Sequence, residues 1–523
     1  MTASAFEGEI VLPDGRHELT PEADAALGES RLHNKDLAPV PITKRTWTTY
    51  NYLALWVGMS INIPSWLLAS GLVALGMAWY QAILTIALAN VIVLIPMLLI
   101  SHAGTKYGIP YPVFARAAFG VFGANLPALI RAGVACGWFG IQTWIGGTAV
   151  FAVVAALLGE GSFWTTAGTL AIGFGDPQPW TVWLSFAVFW AINILVILRG
   201  MDAVRRFENW AAPFLIVVFA GLLVFMVIQA GGLGPIVSEP GTLGWGSGFW
   251  AIFPLSLMGM IAFWSTLSLN MPDFTRFGRS QREQAYGQAL GLPTTMTLFP
   301  LIGVLTTSAT VVVYGEAIWD PVALAARLDN PILLIIAMLT LAIATLSTNI
   351  AANVVSPSYD FSNLWPSRIS FRTGGLITGV IGILIQPWNL LATPDLYIFT
   401  WLGFYGGATG AIAGVLIADY WFIRRTSLHL SDLYKANGIY RYASGWNWKA
   451  VAALLIGAFF ALAGAYSAPG TGPFPANGYI EFLKPLYDYS WVVGLIVGFL
   501  VYAGLTRGLP QKESTPTIAE QPA

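Results

Sequence analysis

Charge is what this chain is short of. Of its 523 residues, 10% are Asp, Glu, Lys or Arg, against roughly a quarter in an ordinary soluble protein. The formal net charge is −1, which leaves no basic footprint for nucleic acid, and none is expected as a partner. A single cysteine, Cys136, excludes an intramolecular disulfide. Its small, apolar neighbours make it a helix-packing residue. The four histidines, His17, His33, His102 and His429, are scattered, and none lies within a long apolar run. Zinc and iron–sulfur sites therefore lack ligands, and no cofactor is expected. Paired histidines, an HExxH sequence and a nucleophile elbow are all missing, so the chain does not read as a membrane enzyme. No apolar segment follows Met1, which excludes a signal peptide. Residues 1–46 read instead as a polar cytoplasmic arm, disordered up to about Arg31, and 507–523 as a similar tail.

Apolar residues fill the space that charge leaves. They make up 56% of the chain, and the mean hydropathy is +0.67. Runs long enough to cross a hydrocarbon core of about 30 Å recur from end to end. About twelve spans are expected: 49–73, 78–101, 125–157, 180–198, 209–229, 248–269, 291–314, 331–354, 374–391, 397–418, 449–466 and 489–506. Basic residues set the orientation. Lys106, Arg116, Arg199, Arg205, Arg206, Arg276, Arg279, Arg282, Arg368, Arg372, Arg424, Arg425, Lys435 and Arg441 all fall in connections on one side. On the other side, 158–179 and 230–247 hold no Lys or Arg. The positive-inside rule then places both termini in the cytoplasm of a multi-pass protein of the cell (plasma) membrane.

The pattern of interruptions points to a transporter. The first span contains GMSINIPSW, with Gly58 and Pro64, and the sixth contains SLMGMIAFWSTLSLNMP, with Gly259 and Pro272. Breaks at matching places in two halves mark the midplane site of inverted-repeat carriers. The cores of spans 1, 3, 6, 8 and 10 read as free of ionisable residues, which argues for a neutral substrate. Amides stand there instead: Asn62, Gln142, Asn349 and Asn353. An amide matches the alternating N–H and C=O edge of a cyclic ureide or pyrimidine. Trp138 in GWFGIQTW and Trp264 in IAFWSTLSLN offer indole faces for the same ring. Ser347 and Thr348, with carbonyls freed near Gly58 and Ile61, suit a hard cation such as Na⁺, while H⁺ coupling stays open. The Asp273–Arg276 pair just beyond span 6 reads as a local clamp.

These segments resemble the nucleobase:cation symporter-1 family, carriers of hydantoins, allantoin, uracil and cytosine. The likeness runs over about 45–445 and rests on NKDLAPVPITKRTWTTYNYLALWVGM, SHAGTKYGIPYPVFARAAFG, GWFGIQTW, LNMPDFTRF, STNIAANVVSPSYD and ADYWFIRR. It implies an all-α LeuT-type fold: inverted repeats at 47–230 and 248–418, then two helices within 449–506, working by alternating access. It also implies substrate contacts at Trp138, Gln142, Trp264 and Asn353, and a Na⁺ site at Gly58, Ile61, Ala344, Ser347 and Thr348. Leu402 is implied as a gate residue. Asn62 stands where the family's hydantoin carrier has glutamine, and Phe263 where it has glycine. A phenylalanine there narrows the slot and favours a compact ring, uracil or allantoin. The expectation is a monomeric importer of a small neutral heterocycle by cation symport. The alternative is an H⁺-coupled carrier of another neutral solute, such as a vitamin-like pyridine ring.

Overall fold

The computed structural model describes residues 8–507 apart from 160, 174–175, 200, 328–330, 392, 395, 468 and 470–471. Seven of its helices are long and apolar enough to cross a membrane, or up to nine if each of two bent pairs counts as one span. Each apolar run of the sequence falls on helix. Two fall on shorter pieces, Phe371–Leu384 and Trp448–Leu462, and the fifth falls on the helix Met201–Gln229. The helix Gln281–Tyr314 begins ahead of its apolar run at 291–314, with the polar turns of QREQAYGQAL.

Spans 1, 2, 6 and 7 pack on one another, and spans 3, 4, 8 and 9 form a second group. Span 1 is Thr49–Ser60 followed by Ile63–Ala74, bent by 60° at the join. The cause is local. Asn62 adopts an extended backbone and caps the second piece, accepting from the Ser65 N–H at 2.8 Å. Its Nδ2 donates back to the Met59 carbonyl. Pro64, in the first turn of that piece, has no N–H to give to a preceding turn.

Span 6 corrects the sequence reading. It is one continuous helix, Ser247–Asn270, with no break at Gly259. Glycine weakens a helix by only about 1 kcal/mol, too little to break one. Here it serves close packing: a Cβ would come within 3.0 Å of the Ile398 side chain and 3.1 Å of its carbonyl. Span 8, Pro331–Asn353, continues past Val354 into Val355–Leu364.

The arm corrects it too. Residues 8–31, expected to be disordered, form a hairpin of Glu9–Val11 and His17–Leu19 and a helix Pro21–Leu27 capped by the Thr20 hydroxyl. Remote partners hold them. Glu9 bonds His17 Nδ1 at 2.9 Å and accepts from the Leu430 N–H at 2.6 Å. Arg45 donates to the Val40 and His17 carbonyls. Burial pulls the Arg45 pKa down to about 10, which leaves it charged at neutral pH. The tail from 508 onward lies outside the described residues. Asp273 and Arg276 clamp different neighbours: Asp273 accepts from the Tyr111 N–H at 2.8 Å, and Arg276 donates to the Asp36 carbonyl and the Tyr359 hydroxyl, each at 3.0 Å.

Candidate functional site

A cavity of about 30 Å³ opens at the break in span 1. Its walls come from both helix groups. Met59, Asn62 and Pro64 line it from span 1, and Phe263, Trp264, Thr266 and Leu267 from span 6. Facing them are Arg131, Ala135, Trp138 and Gln142 of span 3, and Thr348, Ala352 and Asn353 of span 8. All six side chains expected to touch substrate thus share one cavity.

The aromatic wall is not a simple sandwich. Phe263 stands edge-on to Trp138, with centroids 5.1 Å apart at 82°, and edge-on to Trp264, at 4.9 Å and 87°. Edge-to-face contacts of this kind hold rings in fixed relative positions. Trp138 Nε1 donates to the Tyr405 hydroxyl at 3.3 Å, and that hydroxyl donates to the Ala262 carbonyl at 2.9 Å. The indole of Trp138 is therefore anchored by its N–H, and the rings of Phe263, Tyr397 and Trp401 stand steeply inclined to it at 82°, 88° and 68°. Trp264 packs edge-on against Trp56, and its own Nε1 is buried without a partner.

The amides divide by role. Asn62 is spent on the helix break described above. Asn349 does not line the cavity, contrary to the expectation that its amide is available to substrate. Its Nδ2 donates to the Phe139 carbonyl and the Thr143 hydroxyl at 3.2 Å each and to Asn193 Oδ1 at 3.1 Å. Gln142 Oε1 is buried and unpartnered. A buried acceptor left open is costly, and in a cavity it marks a place for a ligand donor.

Of the residues expected to hold a cation, Gly58 and Ile61 lie at the same break and Thr348 lines the cavity beside it. Ile61 caps its first helix piece. In an unbroken helix the Gly58 carbonyl would accept from the Asn62 N–H and the Ile61 carbonyl from the Ser65 N–H. Those N–H groups go instead to the Ser60 carbonyl, at 3.1 Å, and to the Asn62 side chain. Both carbonyls are thereby released. Thr348 Oγ1 is buried with no partner, an orphan that suits an oxygen-ligated ion. Ala344 and Ser347 are buried on the same helix but do not line the cavity. Leu402 is fully buried at the end of a wide helical segment, Leu396–Leu402.

One reading fails outright. Span 3 is not free of charge at depth. Arg131 lines the cavity, and its Nη1 lies 3.4 Å from Asp360 Oδ2, both side chains being at most 1% exposed. The signal was in the sequence: an arginine inside the run 125–157 and an aspartate shortly after span 8. Neither residue marks a helix end, because span 8 extends through Leu364 and carries Asp360 back to face span 3.

With this geometry in place, the chain's relatives can be compared. Residues 39–494 match the model of a family described as permease for cytosine/purines, uracil, thiamine and allantoin. An allantoin permease of Bacillus subtilis is 42% identical over 486 residues, covering 92% of this chain and 94% of that one. A purine-uracil permease of Arabidopsis thaliana is 37% identical, over 95% of this chain and 82% of the other. Among solved structures, Mhp1, a nucleobase-cation-symport-1 family transporter closed around bromovinylhydantoin, superposes with a TM-score of 0.73 at 25% identity. The match covers 91% of this chain and 95% of that one.

Proposed function

We infer the cargo from one premise: this chain belongs to the family of permeases for cytosine/purines, uracil, thiamine and allantoin. It is a membrane transporter of the LeuT-type fold and not an enzyme. Its cargo is a small, neutral, planar nitrogen heterocycle of the uracil or allantoin kind, imported by cation symport. The observation that carries this reading is the cavity at the broken span, where three aromatic rings meet the amides of Gln142 and Asn353. At about 30 Å³ the cavity is smaller than such a ring, so the side chains around it must part to admit one. Phe263, standing against both indoles, leaves little room for a bulky substituent and turns aside as the ring enters.

Na⁺ is the proposed coupling ion. The Gly58 and Ile61 carbonyls, the orphan Thr348 hydroxyl, Ser347 and the Ala344 carbonyl would hold it, and neutral oxygens of this kind suit a hard cation. The ion would supply positive charge that stabilises the break while substrate is bound. Both termini are proposed to face the cytoplasm, and the transporter to work as a monomer in the plasma membrane.

One observation favours a second reading, H⁺ coupling: the buried Arg131–Asp360 pair supplies an ionisable group at depth beside the cavity. Uptake of labelled uracil and allantoin into vesicles, with an imposed Na⁺ gradient or an imposed pH gradient, tests both. Accumulation driven by Na⁺ alone supports the first reading, and accumulation driven by the pH gradient alone replaces it with the second. Uptake of neither compound under any gradient overturns the assignment of cargo. Thr348→Ala should raise the Na⁺ concentration for half-maximal uptake by about tenfold, as expected for one lost oxygen ligand at about 1.4 kcal/mol.

A further inference from the structure

Three buried asparagines connect span 4 to the cavity through span 8. Asn193 and Asn349 are fully buried, and Asn353, at the cavity wall, is 6% exposed. Asn193 Nδ2 donates to the Phe189 carbonyl at 2.9 Å. A carbonyl accepts only, so the Asn193 atom facing it must be nitrogen, and its oxygen faces Asn349. Asn349 Nδ2 then donates to that oxygen at 3.1 Å and to the Phe139 carbonyl at 3.2 Å. The Thr143 hydroxyl enforces the same direction. Its proton goes to the Phe139 carbonyl at 2.7 Å, so it too can only accept from Asn349. The Asn349 oxygen is left for Asn353 Nδ2, 3.1 Å away.

The last amide in the row therefore has no choice of orientation. Two backbone carbonyls, each bonded to a fully buried amide, fix it through two intermediates. We propose that the Asn193–Asn349–Asn353 relay holds the Asn353 oxygen toward the cavity as a fixed acceptor, making Asn349 and Asn193 positioning residues that select rings offering a lactam or ureide N–H. Resting on the cargo reading above, the proposal narrows it to oxo-heterocycles. Where uracil and hypoxanthine carry a ring N–H, cytosine and adenine carry a bare nitrogen whose lone pair opposes the Asn353 oxygen, and only a ring displaced toward its amino group could donate there. Gln142 has no such anchor: its oxygen is unpartnered and its amide can turn to suit either edge. Discrimination thus falls to Asn353, because a buried acceptor denied its donor is strongly unfavourable.

Uracil and cytosine are nearly isosteric and differ in this edge, as do hypoxanthine and adenine. The test is competition by these four, with allantoin as a fifth ligand, on the full chain in proteoliposomes. The wild-type chain should prefer each oxo ring over its amino counterpart by at least about tenfold. Asn349→Leu removes the anchor while leaving Asn353 in place, so that its amide can turn. The oxo-to-amino preference should fall by about tenfold, with uracil affinity reduced less than that. Asn193→Leu should shift the preference the same way by a smaller factor, and it carries the test if Asn349→Leu does not fold. A wild-type chain that takes cytosine as well as uracil, or variants that weaken all ligands in proportion, would overturn the proposal. If the wild-type chain binds none of uracil, hypoxanthine and allantoin, it is the cargo reading that fails.

Discussion

Spans 1 and 6 carry similar local sequences, each with a glycine and a downstream proline, and they end up different. Span 1 bends by 60° between Ser60 and Ile63, while span 6 runs unbroken from Ser247 to Asn270. Glycine is common to both, so it does not decide. What span 1 has in addition is Asn62, two residues before Pro64, an amide that caps the new helix and returns a bond to the old one. Span 6 has Phe263 and Trp264 at the corresponding depth, side chains that cannot satisfy a freed backbone. Proline in span 6 sits at Pro254, inside the helix, and at Pro272, just past its end. A helix buried in a membrane breaks where something polar is present to receive the backbone groups. The two spans accordingly divide the work: one contributes released carbonyls, the other an aromatic wall.

Substitutions can break or sharpen this contrast. The largest effect is expected on the aromatic side. Trp138→Ala and Trp264→Ala each remove a ring from the cavity wall and should weaken substrate binding by about 2–3 kcal/mol, roughly 30- to 150-fold, measured as apparent affinity in uptake competition. Near-normal affinity in both would remove the stacking role. Next comes the cap. Asn62→Ala should lower stability by about 0.5–2 kcal/mol in detergent unfolding and reduce transport, because the Ser65 N–H and Met59 carbonyl lose their partner. Asn62→Asp, which keeps the acceptor to Ser65, should restore part of the stability.

The two glycines give the smallest and sharpest pair. Gly259→Ala places a methyl within 3.0 Å of Ile398 and should cost about 1 kcal/mol by overpacking. At Gly58 an added Cβ meets nothing within 4 Å, and Gly58→Ala should be neutral or gain up to about 1 kcal/mol. Equal costs at the two positions would mean that Gly259 is not a packing residue.

Much of the site was legible from residue types. Trp138, Gln142, Trp264, Asn353 and Asn62 stood out as aromatics and amides in apolar helices, Phe263 only against the family's pattern, and all six line one cavity. The misreadings have a common cause. Span 3 looked uncharged although Arg131 lies within it, and the extension of span 8 brings Asp360 opposite that arginine. Asn349 looked equivalent to Asn353, four residues on. The two share one face of span 8 a helical turn apart, and a sequence does not show at which turn the cavity ends and the contact with span 4 begins. The arm looked disordered because its composition is polar. Its order comes from bonds to residues some four hundred positions away, such as Glu9 to Leu430.

By itself the sequence determined the chemistry available: an apolar chain in repeated spans, a proline–asparagine break, and indoles and amides for a flat neutral ring. Those follow from composition and local pattern, since membrane crossing and backbone capping act over a few residues. Only the tertiary structure decided which helix breaks, which amides are committed to neighbours, and where a charge sits beneath the site. Each of those depends on whether a partner for a polar group arrives from a distant part of the chain, and in a membrane interior that partner is worth more than any local preference.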